Sequence, residues 1–530
     1  MKKYFHLSIV IIATLTILSA CNSVDKKTPL LPKDATFVVH LNTNSLSSKL
    51  SWDEVKKSNW FAESTHDEKD SLVRSILEDP SSSGIETKEG LFVFARREAN
   101  GGYSGFTGYV KDLAAFEAFN KKLSRSNEVK TNKDLKIISF GDHGIVSWNE
   151  NKFLYLIGSD KAFAFSMGPR PSQEEPKRTD LSDAAYRIFH YKKDSLLIDD
   201  SRFASLLKDE GDVHFWSNAE SMSMDNMNMG FMSLMKTEVY FRETVTASTI
   251  TFEKGKVVAH AKTYSNKEVT ELMKKYSGDN INTDYIKRIP SDNVIGVFAA
   301  NIKPEGIKQL LKLGGLDGLV NSFLGEHGLT LDQVVAATKG DVMITLTDFG
   351  VRKKMIKLGE GMDSLPVNSR GGEVLLCMTI NDKAPFQKLA DAVQTAARSN
   401  SFPLGFTVKI ENDLFVAGTN PAMIDQYLKG GKKDFPFVSR MSGHPAALYG
   451  NLESLFTSIL GSDEGIGSGS RDSTGTKTIL FKDVLGTGGE FKDGAIVQDV
   501  EFTMPDPNTN SLPQINSFVD QMSSKRKKPF

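Results

Sequence analysis

The stretch Leu31-Pro-Lys-Asp-Ala-Thr-Phe-Val-Val-His-Leu-Asn42 opens the body of the chain, and it returns as Ile289-Pro-Ser-Asp-Asn-Val-Ile-Gly-Val-Phe-Ala-Ala-Asn301. In both copies a proline and an aspartate precede an apolar run that ends in asparagine. Short apolar runs bounded by turn-forming residues predict β-strands. The pair therefore suggests that the same fold begins twice.

Four further pairs of segments resemble each other, and they follow in the same order along the chain. They are residues 84–94 with 328–346, 105–123 with 374–393, 213–221 with 447–454, and 250–259 with 489–497. β-rich proteins reuse turn chemistry, which explains one such match but not the order of five. Similarity at a long, fixed period is the mark of an internal repeat. We therefore predict a tandem duplication, with halves at 31–276 and 289–522 and a linker at 277–288.

Each predicted half mixes strands with helices. Asp112 and Asp382 each follow a strand and precede apolar residues at helical spacing, so each aspartate is expected to be a helix N-cap. The apolar positions are Phe116, Phe119 and Leu123 in the first half and Phe386, Leu389 and Val393 in the second. A hairpin is predicted after each helix, at residues 144–158 and 406–418. The fold class is α+β, as two tandem, related α+β halves with mainly antiparallel sheets and flanking helices.

The first 20 residues have the pattern of a signal peptide. Lys2 and Lys3 precede an apolar run from Leu7 to Leu18, which is short for a membrane span. The run ends in Leu18-Ser-Ala-Cys21, the arrangement of a bacterial lipobox. We expect cleavage before Cys21, lipidation of that cysteine, and a lipidated tether over residues 21–30. An uncleaved anchor is the alternative, and the polar, proline-containing flank disfavours it.

The segment after Cys21 bears on where the protein lies. Two or more acyl chains anchor a protein stably, so we expect the lipid on Cys21 to attach the protein to a membrane. This covalent lipid is the one cofactor expected. Asn22 is not the aspartate that retains lipoproteins in an inner membrane, and Asp25 is the one acidic residue before Lys26. We expect the cell envelope, most plausibly the outer membrane with the body facing the periplasm, and surface exposure stays open.

The lipobox, the Pro32-Lys-Asp34 strand start, the Asp112-to-Phe116 helix start and the two-half layout resemble the Bacteroidota lipoproteins that are grouped as domain of unknown function 4836. The resemblance implies a duplicated α+β body and an address in the envelope. It implies no catalytic residue, since the family has no established activity.

Composition excludes several classes of protein. Lys and Arg number 65 against 66 Asp and Glu, so no overall positive charge suggests nucleic acid as a partner. Of the 2 cysteines, Cys21 is assigned to lipid, and Cys377 lies in an apolar run where a thiol behaves as a small hydrophobe. Common nucleotide-binding, metalloprotease and hydrolase motifs are absent from the sequence, which argues against an enzyme.

A methionine-rich segment at residues 222–235 is the one chemically unusual passage. Flexible methionine side chains form adaptable protein-binding surfaces, and their thioethers also suit Cu(I). The predicted partner-binding residues are Met222, Met224, Met227, Met229, Phe231, Met232 and Met235. The candidate Cu(I) ligands are Met222, Met224, Met227 and Met229, although the segment contains no histidine. A Gly/Ser-rich loop at 461–475 takes the same place in the second half.

The sequence therefore favours a membrane-anchored envelope lipoprotein that is a non-catalytic binding or structural module for a protein or glycan. Two alternatives stay open: an envelope hydrolase whose site joins residues distant in sequence, and a Cu(I)-binding lipoprotein. The basic tail at 523–530 could contact anionic lipid, or it could simply be solvated. Nothing in the sequence decides the oligomeric state.

Overall fold

The computed structural model describes residues 28–66, 80–98, 101–141, 144–158, 179–223, 236–357, 364–398, 406–460 and 479–525. The chain forms two compact units. Unit 1 comprises residues 1–229, 243–263 and 508–530, and unit 2 comprises residues 230–242 and 264–507. Antiparallel strands and helices occur in both, which confirms the α+β class. Among the described helices, none has both the length and the hydropathy needed to cross a bilayer.

The strands of unit 1, the last of them as far as Thr263, are β1 Phe37–Leu41, β2 Ile85–Glu86, β3 Leu91–Glu98, β4 Gly101–Val110, β5 Lys130–Asn132, β6 Leu135–Phe140, β7 Gly144–Trp148, β8 Lys152–Gly158, β9 Val213–Asn218, β10 Val245–Glu253 and β11 Lys256–Tyr264. The strands of unit 2 are β12 Val294–Asn301, β13 Thr338–Lys357, β14 Ser364–Ile380, β15 Thr407–Glu411, β16 Leu414–Gly418, β17 Ala446–Asn451, β18 Asp483–Lys492 and β19 Ala495–Thr503.

The α-helices of unit 1 span Thr43–Lys49, Trp52–Lys56, Asn59–His66, Leu113–Ser124, Leu181–Phe189, Ser201–Leu206, Ala219–Ser223 and Ser511–Lys525. Those of unit 2 span Lys267–Tyr276, Asp284–Lys287, Pro304–Leu313, Asp317–Gly325, Leu331–Ala337, Lys383–Arg398, Pro421–Lys429, Val438–Met441 and Leu452–Leu460.

The two sheets have the same strand order. In unit 1 the antiparallel pairings give β7-β8-β4-β3-β1-β9-β10, with β6 and β5 beyond β7 and the short β2 on β4. In unit 2 they give β15-β16-β14-β13-β12-β17-β18-β19. The first strand of each unit therefore lies inside its sheet, with β1 between β3 and β9 and β12 between β13 and β17. A duplication requires this agreement, and the duplication itself stays a prediction.

Local capping explains why corresponding helices begin where they do. The Asp112 carboxylate accepts from the Ala115 amide at 3.0 Å, and the Asp382 carboxylate accepts from the Ala384 amide at 3.0 Å, so both predicted aspartate caps are confirmed. The side-chain oxygen of Asn451 accepts from the Ser454 amide at 2.9 Å. Each cap satisfies an amide that the first helical turn leaves without a partner.

Both predicted hairpins are also confirmed. β7 and β8 pair from Trp148↔Phe153 to Gly144↔Ile157, across a turn in which the Asn149 side chain accepts two backbone amides. β15 and β16 pair across Asn412, which has a φ of 51°. Asparagine tolerates the left-handed region that a tight hairpin turn requires.

One of the five predicted correspondences differs between the units. Residues 85–86 form the short strand β2, whereas residues 331–337 form a helix. The Thr330 hydroxyl accepts from the Gln333 amide at 3.2 Å, and the Gln333 side chain accepts from the Thr330 amide at 2.9 Å. This capping box starts the Leu331–Ala337 helix, and the corresponding segment of unit 1, residues 84–94, has no Thr and Gln at these two positions.

Helices pack on both faces of each sheet. In unit 1, Phe116 of the Leu113–Ser124 helix lies edge-on to Trp148 at 5.7 Å between ring centroids, and both are fully buried. In unit 2, Phe386 of the Lys383–Arg398 helix packs with Phe415 at 5.2 Å. The opposite face of the unit 2 sheet packs on the Pro421–Lys429 helix through Ile424 and Tyr427 among others.

The compact units differ from the predicted halves at their closing helices. The Ser511–Lys525 helix belongs to unit 1, where Asp520 accepts from the Trp60 amide at 3.0 Å and Asn516 accepts from the Trp60 indole at 2.9 Å. The Lys267–Tyr276 helix belongs to unit 2. Residues of the predicted linker are also part of unit 2, because Ile281 and Ile286 are buried in its core.

We predict that ending the chain after Pro507 destabilises unit 1, although the removed residues are distant from it in sequence. The truncation removes Leu512 from the cluster around Trp52 and Phe61 and deletes the Trp60 hydrogen bonds. The free energy of unfolding of unit 1 should fall by on the order of 3–5 kcal/mol. Urea unfolding followed by tryptophan fluorescence measures it, since all 4 tryptophans lie in unit 1.

The matched control is a chain that ends after residue 525, which keeps the helix and loses only the basic tail. Its tryptophan transition should stay unchanged. An unchanged transition in the shorter chain as well would show that the helix does not stabilise unit 1.

Candidate functional site

The residues predicted from sequence fall mostly outside the described part of the chain. Cys21 lies outside it, and so do Met224, Met227, Met229, Phe231, Met232 and Met235. Met222 is described. It lies in the Ala219–Ser223 helix, where the Asn218 side chain accepts from the Glu220 amide at 3.1 Å, and it is 43% exposed. The structure therefore places the start of the methionine-rich segment at the surface of unit 1.

The sheet of unit 2 has an exposed row of apolar side chains. Phe298 of β12 is the cross-strand partner of Ile344 on β13 and of Leu448 on β17. The three side chains are 39%, 41% and 46% exposed, respectively. Direct cross-strand neighbours have Cβ atoms about 5 Å apart, so the three form one continuous surface, which we call the apolar row.

Partial coverage of this face by helices explains why the apolar row is exposed. The row continues from Ile344 to its partner Leu376 on β14, which packs against the cluster of the Lys383–Arg398 helix. That helix therefore covers this face of the sheet at β14, β15 and β16. The Leu452–Leu460 helix contacts β12, β13 and β18, and it too leaves an apolar side chain, Phe456, 43% exposed.

The apolar row was not predicted from the sequence, although one of its strands shows a pattern that indicates it. Strand Val294–Asn301 has no polar residue before its terminal asparagine, so both of its faces are apolar. Val297 and Ala299 lie in the core of unit 2, which requires Phe298 to lie on the other face. An apolar strand of this kind predicts two covered faces. What sequence could not show is that the second face is covered only in part.

A polar cluster lies at the start of β9 in unit 1. The Asp212 carboxylate is fully buried and accepts from the Ser45 hydroxyl at 2.5 Å, the Lys49 ammonium at 2.6 Å and the Phe252 amide at 2.6 Å. The Asn42 amide group donates to the Gly211 carbonyl at 3.0 Å. These bonds hold the Thr43–Lys49 helix against the sheet. A buried charge that kept no partner would cost several kcal/mol, so the role of this cluster is structural.

Two histidines lie beside this cluster. The Nδ1 atoms of His40 and His214 are 2.9 Å apart, so one ring donates to the other. His214 Nε2 lies 2.9 Å from the Asp209 carbonyl oxygen, and the His40 ring stacks on Phe92 at 4.5 Å. Burial, with the nearby His214 ring as the second cause, lowers the pKa of His40 to about 3. His40 is therefore neutral at ordinary pH.

The buried thiol of Cys377 lies beside a small cavity in unit 2. Tyr285, Asp341 and Thr379 also line the cavity, which has a volume of about 10 Å³ and so holds about one water molecule. Burial raises the pKa of the Cys377 thiol to about 11. A thiol of this kind is unreactive, which agrees with the predicted role of a small core residue. The cavity is far smaller than a substrate pocket.

The described residues thus define an α+β protein with an exposed apolar surface. No group of three His, Cys, Asp or Glu residues within them is placed to hold a metal ion. The description "Domain of unknown function (DUF4836)" applies to the family whose pattern matches residues 27–353, which is more than half of the chain. The chain belongs to this family, as the resemblance implied.

Other comparisons add little. A comparison with curated proteins gives no match. Among solved structures, crystal form III of TP0453 aligns with 49% of this chain and 90% of its own at 12% identity and a TM-score of 0.26. Crystal form I of TP0453 aligns with 77% and 98%, at 10% identity and a TM-score of 0.20. Scores this low support no statement about fold or function.

We predict that the histidine pair makes unit 1 sensitive to acid. The unfolded chain takes up a proton at His40 near its ordinary pKa of 6.5, and the folded chain does so only near 3. The contribution to stability is therefore complete above pH 6.5 and is lost as the pH falls toward 3. Because the ring is partly accessible, we expect a loss of about 2–3 kcal/mol. Urea unfolding of unit 1 at a series of pH values measures it.

His40→Gln should flatten this acid dependence, even if its stability near neutral pH is lower. His190→Gln is the matched control, because the His190 side chain is 38% exposed on the surface of the same unit. An equally steep dependence in His40→Gln would contradict the assignment.

Proposed function

We propose that this protein is a membrane-anchored lipoprotein of the bacterial cell envelope whose α+β body is a non-catalytic binding module. The observation that carries the proposal is the apolar row. Exposed apolar side chains that form one continuous surface mark interaction sites more often than isolated ones do. The partner would be another envelope protein with an apolar surface of its own.

The proposed anchor is supported by the lipobox at Leu18 to Cys21 and by the short apolar run before it. Lipid on Cys21 would hold the body at the outer membrane, with the body in the periplasm. At a membrane, partners diffuse in two dimensions beside the protein, so a modest apolar interface is sufficient for association.

The alternative functions have less support. An enzyme requires titratable groups that converge in a pocket, and the cavity beside Cys377 is too small for a substrate. Cu(I) binding by Met222, Met224, Met227 and Met229 stays a separate prediction. The exposed Met222 is consistent with either a metal or a partner at that segment.

We predict that Cys21→Ala abolishes the incorporation of labelled palmitate and releases the protein from the membrane fraction. In the proposed anchor, the sulfur atom of Cys21 receives the lipid, so its loss removes the attachment point. Cys377→Ala is the matched control, because Cys377 is the other cysteine of the chain and is buried. Label that persists in Cys21→Ala would contradict the proposed anchor.

We predict that the double variant Phe298→Ser and Leu448→Ser loses the envelope partners of this protein while keeping its stability. These side chains are substantially exposed, so their removal changes the surface more than the core. Crosslinking in intact cells, followed by affinity purification from detergent-solubilised membranes, measures the loss. Truncation of two anchoring apolar side chains typically costs about 2 kcal/mol or more each, roughly a thousandfold or greater decrease in affinity for the pair.

The matched control removes the same residue types elsewhere on unit 2. Phe323→Ser and Leu319→Ser alter side chains that are 60% and 46% exposed on the Asp317–Gly325 helix. The control should keep its partners. Equal loss in both variants, or in neither, would contradict a role for the apolar row.

A further inference from the structure

The apolar row is bordered by glycines on the same face of the sheet. Residues two positions apart along a strand share a face, so Gly296 lies beside Phe298 on β12 and Gly450 lies beside Leu448 on β17. The register pairs Gly296 with Gly450 and Phe298 with Leu448. Two large side chains therefore lie about 7 Å from two glycines. We call Phe298 and Leu448 the ridge, and Gly296 and Gly450 the hollow.

The hollow is open. A Cβ atom placed on Gly296 would meet the Tyr449 carbonyl oxygen at 3.5 Å, and among the described residues no side chain beyond its chain neighbours lies within 4 Å of it. A Cβ atom on Gly450 would meet Val484 Cγ1 at 3.0 Å, so Val484 bounds the hollow on the side of β18. The Leu452–Leu460 helix contacts these strands and still leaves the space over Gly296 open.

A ridge beside a hollow is self-complementary. In a two-fold symmetric interface the same surface of both copies takes part, so that residue i of one copy meets residue j of the other and the reverse. Consider a two-fold axis that lies between two such sheets, runs across the strands and passes midway between the ridge and the hollow. It places each ridge over the hollow of the other copy. Sheets that pack face to face lie about 10 Å apart, and interdigitating side chains fill this gap.

The charge of this surface also suits a second copy. Residues 294–301, 342–346, 446–450 and 484–488 form this part of the sheet, and they contain no charged residue. Near a two-fold axis each charge would face its own copy, and like charges at a contact that excludes water repel strongly. An uncharged surface avoids this repulsion, and it offers a charged partner nothing to recognise.

The size of the surface predicts a weak association. Four strands about 4.8 Å apart, over five residues of about 3.4 Å each, cover roughly 330 Å² in projection. Because side chains make the surface uneven, its accessible area is larger, and two copies would bury roughly 1,000 Å² in total, near the lower limit for a specific interface. Copies that are anchored in one membrane are confined beside each other, which raises their effective concentration.

We infer that the apolar row is a self-association surface, through which two copies of this chain pair about a two-fold axis, with the ridge of each copy in the hollow of the other. The inference rests on the proposed function and names a second copy as the partner. Copies held at one membrane pair, whereas the dilute chain without its lipid is monomeric.

The first test is sedimentation velocity of the mature chain from residue 21 with Cys21→Ala, so that no lipid contributes. The sedimentation coefficient should rise between about 10 µM and about 1 mM, as a Kd on the order of 100 µM requires. Gly296→Leu fills the hollow while it adds apolar surface. It should raise the Kd at least about tenfold, because leucine takes the space of the opposing phenylalanine and occurs twice in the dimer.

Gly318→Leu is the matched control. It adds the same side chain to the Asp317–Gly325 helix of unit 2, where a Cβ atom would meet nothing within 4 Å. Its Kd should equal that of the parent chain. An unchanged or lower Kd in Gly296→Leu would mean that apolar surface associates without this fit, which would overturn the inference. Circular dichroism and the melting temperature of each variant establish that the fold is retained.

The second test is crosslinking in intact cells with the lipidated chain and a Cys377→Ala background. Ile344 lies in the same row as Phe298, so a short bis-maleimide should join two copies through Ile344→Cys and give a product of twice the chain mass. Phe323→Cys is the matched control, because Phe323 is 60% exposed on the Asp317–Gly325 helix. It should give no such product.

A chain that stays monomeric up to about 1 mM and gives no product of twice its mass in cells would overturn the inference. So would a product that joins residue 344 to a different protein, or a lipid bound to the monomer in native mass spectra. These outcomes differ from a failure of the proposed function. If Phe298→Ser with Leu448→Ser loses a different envelope protein, the binding module stands and the self-association alone is wrong.

Discussion

The backbone register of β12 between β13 and β17 is the constraint on which the rest of unit 2 depends. Side chains of a strand alternate between the two faces of the sheet, so a slip of one residue would exchange every one of them. Val297 and Ala299 lie in the core of unit 2, and their burial fixes this register. Phe298 must then lie on the opposite face, in line with Ile344 and Leu448. The exposed apolar row is thus a consequence of the same pairing that builds the core.

The elements that sequence predicted are those whose cause is local. Asp112 and Asp382 cap helices because a side-chain carboxylate satisfies a nearby amide, and Asn412 permits a tight turn because asparagine tolerates a positive φ. The helix at 331–337 depends on a capping box that the corresponding segment of unit 1 lacks, so the resemblance between the two segments misled the comparison.

What sequence could not predict are contacts between distant segments. The Ser511–Lys525 helix packs on the Asn59–His66 helix through Trp60, a contact between residues more than 450 positions apart. Nothing in either segment specifies its partner, because an amphipathic helix fits many apolar surfaces. The apolar row was missed for the same reason: the coverage of one face depends on how far the Lys383–Arg398 helix reaches. Of the predicted site, only Met222 lies among the described residues.

The interior of the molecule and its surface differ in what their groups do. Its buried polar groups, such as Asp212 and the His40–His214 pair, hold helices and strands in place. The thiol of Cys377 is buried, and the cavity beside it has room for about one water molecule. The apolar row, in contrast, lies at the surface of unit 2.

Thiol accessibility tests the register most directly. In a Cys377→Ala background of the purified mature body without Cys21, Phe298→Cys and Ala299→Cys are adjacent probes on opposite faces of β12. The account predicts that a maleimide labels the cysteine at 298 rapidly in the native protein and labels the one at 299 only after unfolding. Rapid native labelling at 299, or protection at 298, would contradict it.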